Sequence, residues 1–259
     1  MTHDWTLIGL AGVFGLLFGS FLNVCIYRLP ARLSVMRPSS QCPACGHVLS
    51  WYENIPVLSY AVLRGRCRGC RAPIALTYPL IELLTLAIFA GGYWLYGPTP
   101  LGVARIVFGC ALLVLFVIDL QHQILPNVIT LPGIALGFAF SFFAMPPGPT
   151  PISSAIGIAV GGGLLWLTAV AYERLRHQEG LGFGDVKMLA MIGAFLGWEL
   201  TLVTLLLSTL LGSLVGVGLI VFRRGDMKSV LPFGTFLAVG AAAAAVVGPA
   251  LLKWYGGFF

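Results

Sequence analysis

With 259 residues, 58% of them hydrophobic and only 9% charged, the chain falls far below the roughly 25% charge of soluble domains. That composition excludes a soluble globular protein and predicts an all-α polytopic membrane protein of about eight transmembrane helices. The net charge of +6 calls for no nucleic-acid partner, because basic residues gather in the cytoplasmic loops of membrane proteins, beside anionic lipid.

Windows of about 20 apolar residues, the length that crosses hydrocarbon, predict spans at Trp5–Tyr27, Tyr78–Tyr96, Leu101–Ile118, Val128–Met145, Ile152–Tyr172, Met188–Trp198, Leu200–Phe222 and Val230–Leu252. The sixth has 11 residues and reaches about 17 Å against about 30 Å of hydrocarbon. It must therefore extend back toward Gly184 or lie in a thinned or re-entrant position. If the amino terminus is outside and all eight runs span, thirteen Lys and Arg residues fall inside and only Arg105 and Lys253 outside, the split that the positive-inside rule favours. Dropping the sixth run would move Arg223, Arg224 and Lys228 outside, so it is kept. The first run reads as a retained span, since Thr2-His3-Asp4 carries no positive charge and arginines follow rather than precede the apolar stretch.

In the first span (1–27), Gly15, Gly19 and Ser20 share a helix face suited to close contact. Asn23 is a polar group inside the membrane that bonds either another helix or a substrate backbone, and Pro30 stops the helix. Residues 28–77 form the only sizeable polar segment and are expected to be a separate loop domain before a helical domain at 78–259. The segment holds Cys42-Pro43-Ala44-Cys45 and Cys67-Arg68-Gly69-Cys70 with 21 residues between the pairs, the spacing of a structural four-thiolate zinc site. About 50 residues bury little core, so metal binding would supply the folding energy. Two disulfides are the alternative, disfavoured on the cytoplasmic side where thiols stay reduced. His47 is either a substitute ligand or a surface residue, and Trp51 and Tyr52 pack on the zinc knot or touch the membrane. No self-similar repeat of fixed period is evident along the chain.

Glu82, about one turn into the second span, is either a helix-packing hydrogen-bonder or part of a cofactor or substrate site. Cys25 and Cys110 read as small buried apolar residues. The stretch Pro146-Pro147-Gly148-Pro149-Thr150-Pro151 cannot be helical and links two spans. Glu173, Arg174, Arg176, His177 and Glu179 form a solvated cytoplasmic loop. It leads into Gly180-Leu181-Gly182-Phe183-Gly184-Asp185-Val186-Lys187-Met188, a carboxylate set in glycines where a polar loop enters an apolar run.

An ionisable group at that depth costs about 2.5–3.5 kcal/mol and points to function. Its expected partner is Asp119, at the end of the third run. Two aspartates at one membrane face cannot both ionise cheaply, so they share a proton. The ionised member deprotonates a water while the other donates a hydrogen bond to the scissile carbonyl. Gly182 and Gly184 would admit a peptide backbone. Lys187 would bias the shared proton, anchor to lipid phosphate, or simply mark the cytoplasmic side. The rival reading, a transporter relaying ions through Asp119, Asp185 and Glu82, predicts acids near the midplane and an inverted repeat, and the sequence shows neither.

Taken together, Cys42-Pro43-x-Cys45, Trp51-Tyr52-Glu53-Asn54-Ile55-Pro56, Leu63-Arg64-Gly65-Arg66-Cys67-Arg68-x-Cys70, Tyr78-Pro79-Leu80-Ile81-Glu82-Leu83-Leu84-Thr85, Asp119 with Pro126-Asn127, Gly182-x-Gly184-Asp185-x-Lys187 and Pro232-Phe233-Gly234 resemble the bacterial type IV prepilin leader peptidase/N-methyltransferases. The resemblance implies cleavage of a short basic leader from type IV prepilins or pseudopilins, at the cytoplasmic face of the inner membrane. It also implies methylation of the new amino terminus by S-adenosylmethionine, for which no Rossmann glycine fingerprint is present and no residue is assigned. Two positions depart from the pattern: Thr77, where a basic residue is common, and Thr235, where proline often follows Phe-Gly. Neither is expected to touch the aspartate pair.

Overall fold

The computed structural model describes residues 4–37, 39–176, 182–221 and 232–256. Among them the structure is helical, and the only extended pairing is two isolated β-bridges. In chain order come α1 (Trp5–Arg28), α2 (Leu58–Val62), α3 (Thr77–Tyr96), α4 (Pro100–His122), α5 (Asn127–Ser141), α6 (Pro151–Arg176), α7 (Phe183–Leu196), α8 (Trp198–Val221) and α9 (Phe233–Gly256), with a 3-10 turn at Trp51–Asn54 before α2. All but α2 coincide with the eight predicted runs. Six of them, α1, α3, α4, α6, α8 and α9, are long and apolar enough to cross a membrane, which makes this a multi-pass membrane protein. Helices α5 and α7 have 15 and 14 residues and reach about 22 and 21 Å, short of a bilayer core. The sixth run extends back to Phe183 but remains too short to cross, which leaves the expected thinned or re-entrant position. His177, Glu179, Gly180, Leu181, Arg223, Arg224 and Lys228 lie outside the described residues.

The chain divides into two compact units, Met1–Ile106 and Val107–Phe259. In the first, α1 begins at Asp4, whose carboxylate accepts the Thr6 amide at 3.0 Å, and it packs along α3. The predicted small-residue face makes that contact. A Cβ on Gly15 would lie 2.8 Å from the Thr85 carbonyl oxygen, and one on Gly19 2.8 Å from Glu82 Cα, so larger residues would prise the helices apart. Asn23 Nδ2 donates to the Tyr78 carbonyl at 3.1 Å, which makes it a helix-bonding residue. Glu82 accepts the Val57 amide at 2.7 Å, so this buried acid fastens the polar segment to α3.

In the second unit α7 is the core. Every residue from Met188 to Leu196 is buried, with α5, α6, α8 and α9 packed against it. Phe108 of α4 stacks on Phe195 with ring centroids 4.9 Å apart, and the Ser154 hydroxyl of α6 donates to the Ala194 carbonyl at 2.8 Å. A helix enclosed by its neighbours needs no hydrocarbon of its own, which is why α7 can be short. Its first turn therefore opens at an edge of the unit, and there the acid of the glycine-rich stretch sits.

Candidate functional site

The four paired cysteines of the first unit converge. Their sulfurs all lie within 4.8 Å of one another, with Cys42 Sγ 3.9 Å from Cys70 Sγ and Cys45 Sγ 4.0 Å from Cys67 Sγ, a cage that one metal ion can fill. Two copies of a single turn build it. In one, the Cys42 amide donates to the His47 carbonyl at 2.8 Å and the Gly46 amide to Cys42 at 2.9 Å; in the other, the Cys67 amide donates to Ala72 and the Arg71 amide to Cys67, each at 2.9 Å. Bridges Gln41 to Val48 and Arg66 to Pro73 close the two turns. The copies thus stand 25 residues apart (67 − 42 = 25), a repeat that the sequence hides because only the cysteines recur. Gly46 has φ +72° and its counterpart Arg71 φ +61°, so the turn demands the left-handed region in both.

The Ala44 and Cys45 amides point at Cys42 Sγ and hold its thiol down, to about 7. Cys45 is pushed the other way, to about 11: the His47 amide lowers it, but Cys70, burial, Cys42 and Cys67 together outweigh that. Four sulfurs this close cannot all ionise without a cation among them. His47 is outside the cage, its Nε2 lying 3.2 Å from Glu53 Oε2. Glu53, which also accepts the Ser50 amide at 2.8 Å, is held below the usual carboxylate range by that amide first and by His47 next. Trp51 is exposed. Tyr52 carries Arg68, whose guanidinium sits 5.4 Å from the ring centroid.

The second unit brings Asp119 and Asp185 together. Asp119 is buried in the last turn of α4, and its Oδ2 accepts both the Thr235 amide at 2.6 Å and the Thr235 hydroxyl at 3.0 Å. Asp185 sits in the first turn of α7, where the helix dipole favours negative charge. Burial, and after it the negative charge of Asp119, nevertheless pushes the Asp185 carboxyl up to about 7. Helices α7 and α9 start alike, with Phe183-Gly184-Asp185 and Phe233-Gly234-Thr235 as their first three residues. A Cβ on either glycine would collide with Leu125, 2.9 Å from its Cβ at Gly184 and 2.9 Å from its Cδ1 at Gly234. The α4–α5 loop is thus wedged against both helix starts. Lys187 Nζ donates to Asn127 Oδ1 at 2.8 Å, tying α7 to the beginning of α5.

Two expectations change here. Thr235 does touch the pair, contrary to the sequence reading, because α9 starts directly against Asp119. The only prior signal was its place after Pro232-Phe233-Gly234. Gly184 is required by packing on Leu125, whereas a methyl on Gly182 would meet nothing closer than Asp185 Oδ2 at 3.6 Å.

Residues 13–96 match the model of the bacterial peptidase A24 N-terminal domain, and residues 106–217 that of the type IV leader peptidase family. The chain is 37% identical over 276 residues to the prepilin leader peptidase/N-methyltransferase of Aeromonas hydrophila, across 97% of this chain and 94% of that protein. It is 38% identical over 264 residues to the Pseudomonas putida protein of the same name, across 93% and 91%. Over 206 residues it is 45% identical to the Myxococcus xanthus one, across 79% and 61%. No solved structure matches.

Proposed function

The chain belongs to the type IV leader peptidase family, and from that premise we propose that it cleaves the leader from type IV prepilins or pseudopilins with Asp119 and Asp185 as an aspartic pair, then methylates the new amino terminus. The observation that carries the pair is geometric: Leu125 is wedged against both Gly184, next to Asp185, and Gly234, which lies against Asp119 Oδ2, and burial, followed by the charge of Asp119, pushes the Asp185 carboxyl up. Two acids so placed would share one proton, as an aspartic peptidase needs.

The hydrolytic sequence follows from the two protonation states. One ionised carboxylate takes a proton from water as the water oxygen attacks the scissile carbonyl carbon. The protonated partner gives its hydrogen to the carbonyl oxygen. The tetrahedral diol then collapses as the carbon–nitrogen bond breaks: the carboxyl that took the water proton gives it to the departing amine nitrogen, and the other, now ionised, takes back a proton from one of the two hydroxyls. Gly182, open and unobstructed, is where a substrate backbone would run beside Asp185. Lys187, bonded to Asn127, would hold that loop in place.

The methyl donor is S-adenosylmethionine, which would supply an electrophilic methyl group to the freed amine. Zinc fits the cysteine cage: tetrahedral bonds of about 2.3 Å require sulfurs about 3.8 Å apart, close to the 3.9 and 4.0 Å seen. With four sulfurs as ligands such a site is closed and structural. If all eight runs cross, the excess of basic residues on one side supports an amino terminus outside and the acid pair at the cytoplasmic face of the inner membrane. The test is cleavage of a purified prepilin by Asp119→Asn and Asp185→Asn. Each variant is expected to remain folded and metal-loaded while losing cleavage; persistent cleavage by either removes that residue from the mechanism.

A further inference from the structure

We infer that Thr235 is a positioning residue for the hydrolytic pair, its amide and hydroxyl together fixing Asp119 so that Oδ1 is the oxygen left to take a proton from water. This rests on the reading of Asp119 and Asp185 as that pair. Asp119 stands three residues from the end of α4, a place where a helix frays and a short side chain gains alternative rotamers. What holds it comes from 116 residues away. Thr235 is the third residue of α9, and first-turn amides have no partner within their own helix. The Thr235 amide finds one in Asp119 Oδ2 at 2.6 Å, and the hydroxyl adds a second donor to the same oxygen at 3.0 Å.

Gly234 makes the approach possible, since a Cβ there would sit 2.9 Å from that same Oδ2. Both Asp119 and Thr235 are buried, so water does not compete for the contact. Oδ2 is spent on α9, which leaves Oδ1 for the reaction. A proline at position 235, as the family pattern often has, would supply neither donor.

The experiment is steady-state cleavage of a prepilin by the full-length, metal-loaded protein carrying Thr235→Ser, Thr235→Val or Thr235→Pro, with Asp119→Asn in parallel. Serine keeps both donors and should hold kcat within about twofold. Valine keeps the shape and the amide but not the hydroxyl, and kcat should fall about tenfold with KM unchanged, since one hydrogen bond to a charged group is lost. Proline is tolerated in a first helical turn and removes both donors, so its kcat should fall at least as far. Should the valine variant not fold, Thr235→Ala carries the same expectation. Wild-type kcat in Thr235→Val, or a loss confined to KM, overturns the inference. If Asp119→Asn still cleaves, the failure lies with the aspartic pair instead; if it is inactive while Thr235→Val is unaffected, only the role of Thr235 falls.

Discussion

Leu125 fills the space that a side chain on Gly184 would need, its Cβ lying 2.9 Å from where that side chain would begin. Gly182, two residues earlier, has ordinary backbone angles and room for a methyl group. The two glycines before Asp185 therefore answer to different demands. Gly184→Ala should lower the thermal midpoint, because forcing a carbon into a filled site costs about 1–3 kcal/mol. Gly182→Ala should leave the midpoint alone and raise KM for the prepilin, as expected where a substrate backbone passes. Thermal unfolding and cleavage kinetics on both variants separate the two. Equal midpoints would show that Leu125 yields easily and that Gly184 too is kept for substrate.

If Asp185 is the proton donor of the proposed pair, its proton sets a pH limit. A carboxyl raised from 3.8 to about 7 is protonated below about 7 and ionised above it. If the protonated member of the pair donates to the scissile carbonyl, kcat is sustained below that point and declines as pH rises through it. A profile of kcat from pH 5.5 to 9, taken where the protein remains folded, should show this alkaline limb. A flat profile to pH 9 would mean that Asp185 is not the proton donor.

Several parts of this arrangement were legible in the amino-acid order, and for identifiable reasons. Apolar runs fix helices in a membrane chain because an unpaired backbone cannot survive in hydrocarbon, so eight helices fall where the runs lie. Gly15 and Gly19 announced a close helix contact by their spacing, though not that α3 would make it, and Cys-x-x-Cys announced the cage by its own. Thr235 and Leu125 gave no comparable signal, since their importance comes from contacts between remote segments, and the Pro232-Phe233-Gly234 motif marked Gly234 without revealing its contact with Asp119. Arg71 was hidden for another reason: a left-handed residue that is not glycine carries no mark in sequence. The role of Glu82 stayed open until its partner proved to be a backbone amide, that of Val57, which no side-chain pattern reveals.

The two turns of the cysteine cage offer an internal control. Gly46 and Arg71 occupy the same left-handed position, which costs a residue with a side chain roughly 1–2 kcal/mol, against about 0.5–1 kcal/mol for the extra freedom of glycine. Arg71→Gly should therefore leave stability unchanged or raise it by up to about 1.5 kcal/mol. Gly46→Ala should lower it by about 1 kcal/mol. Thermal unfolding of the metal-loaded full-length protein reads both changes. Destabilisation by Arg71→Gly would show that the arginine side chain contributes more than its backbone strain takes away.

Metal removal tests what the cage is for. If the ion only completes the fold of the segment between α1 and α3, its loss unfolds that segment, because four unpaired thiols with Cys45 pushed up to about 11 have nothing else to gather them. Cys42→Ser should then reduce folded yield severely. Cleavage per folded, metal-loaded molecule should change by less than about threefold, well under the tenfold that marks 1.36 kcal/mol of lost transition-state binding. Metal content, yield and cleavage rate measured on one preparation decide the matter. A variant that folds in normal yield, binds metal and fails to cleave would instead place the ion in the chemistry. That outcome would require a ligand position open to water, which a cage of four sulfurs does not provide.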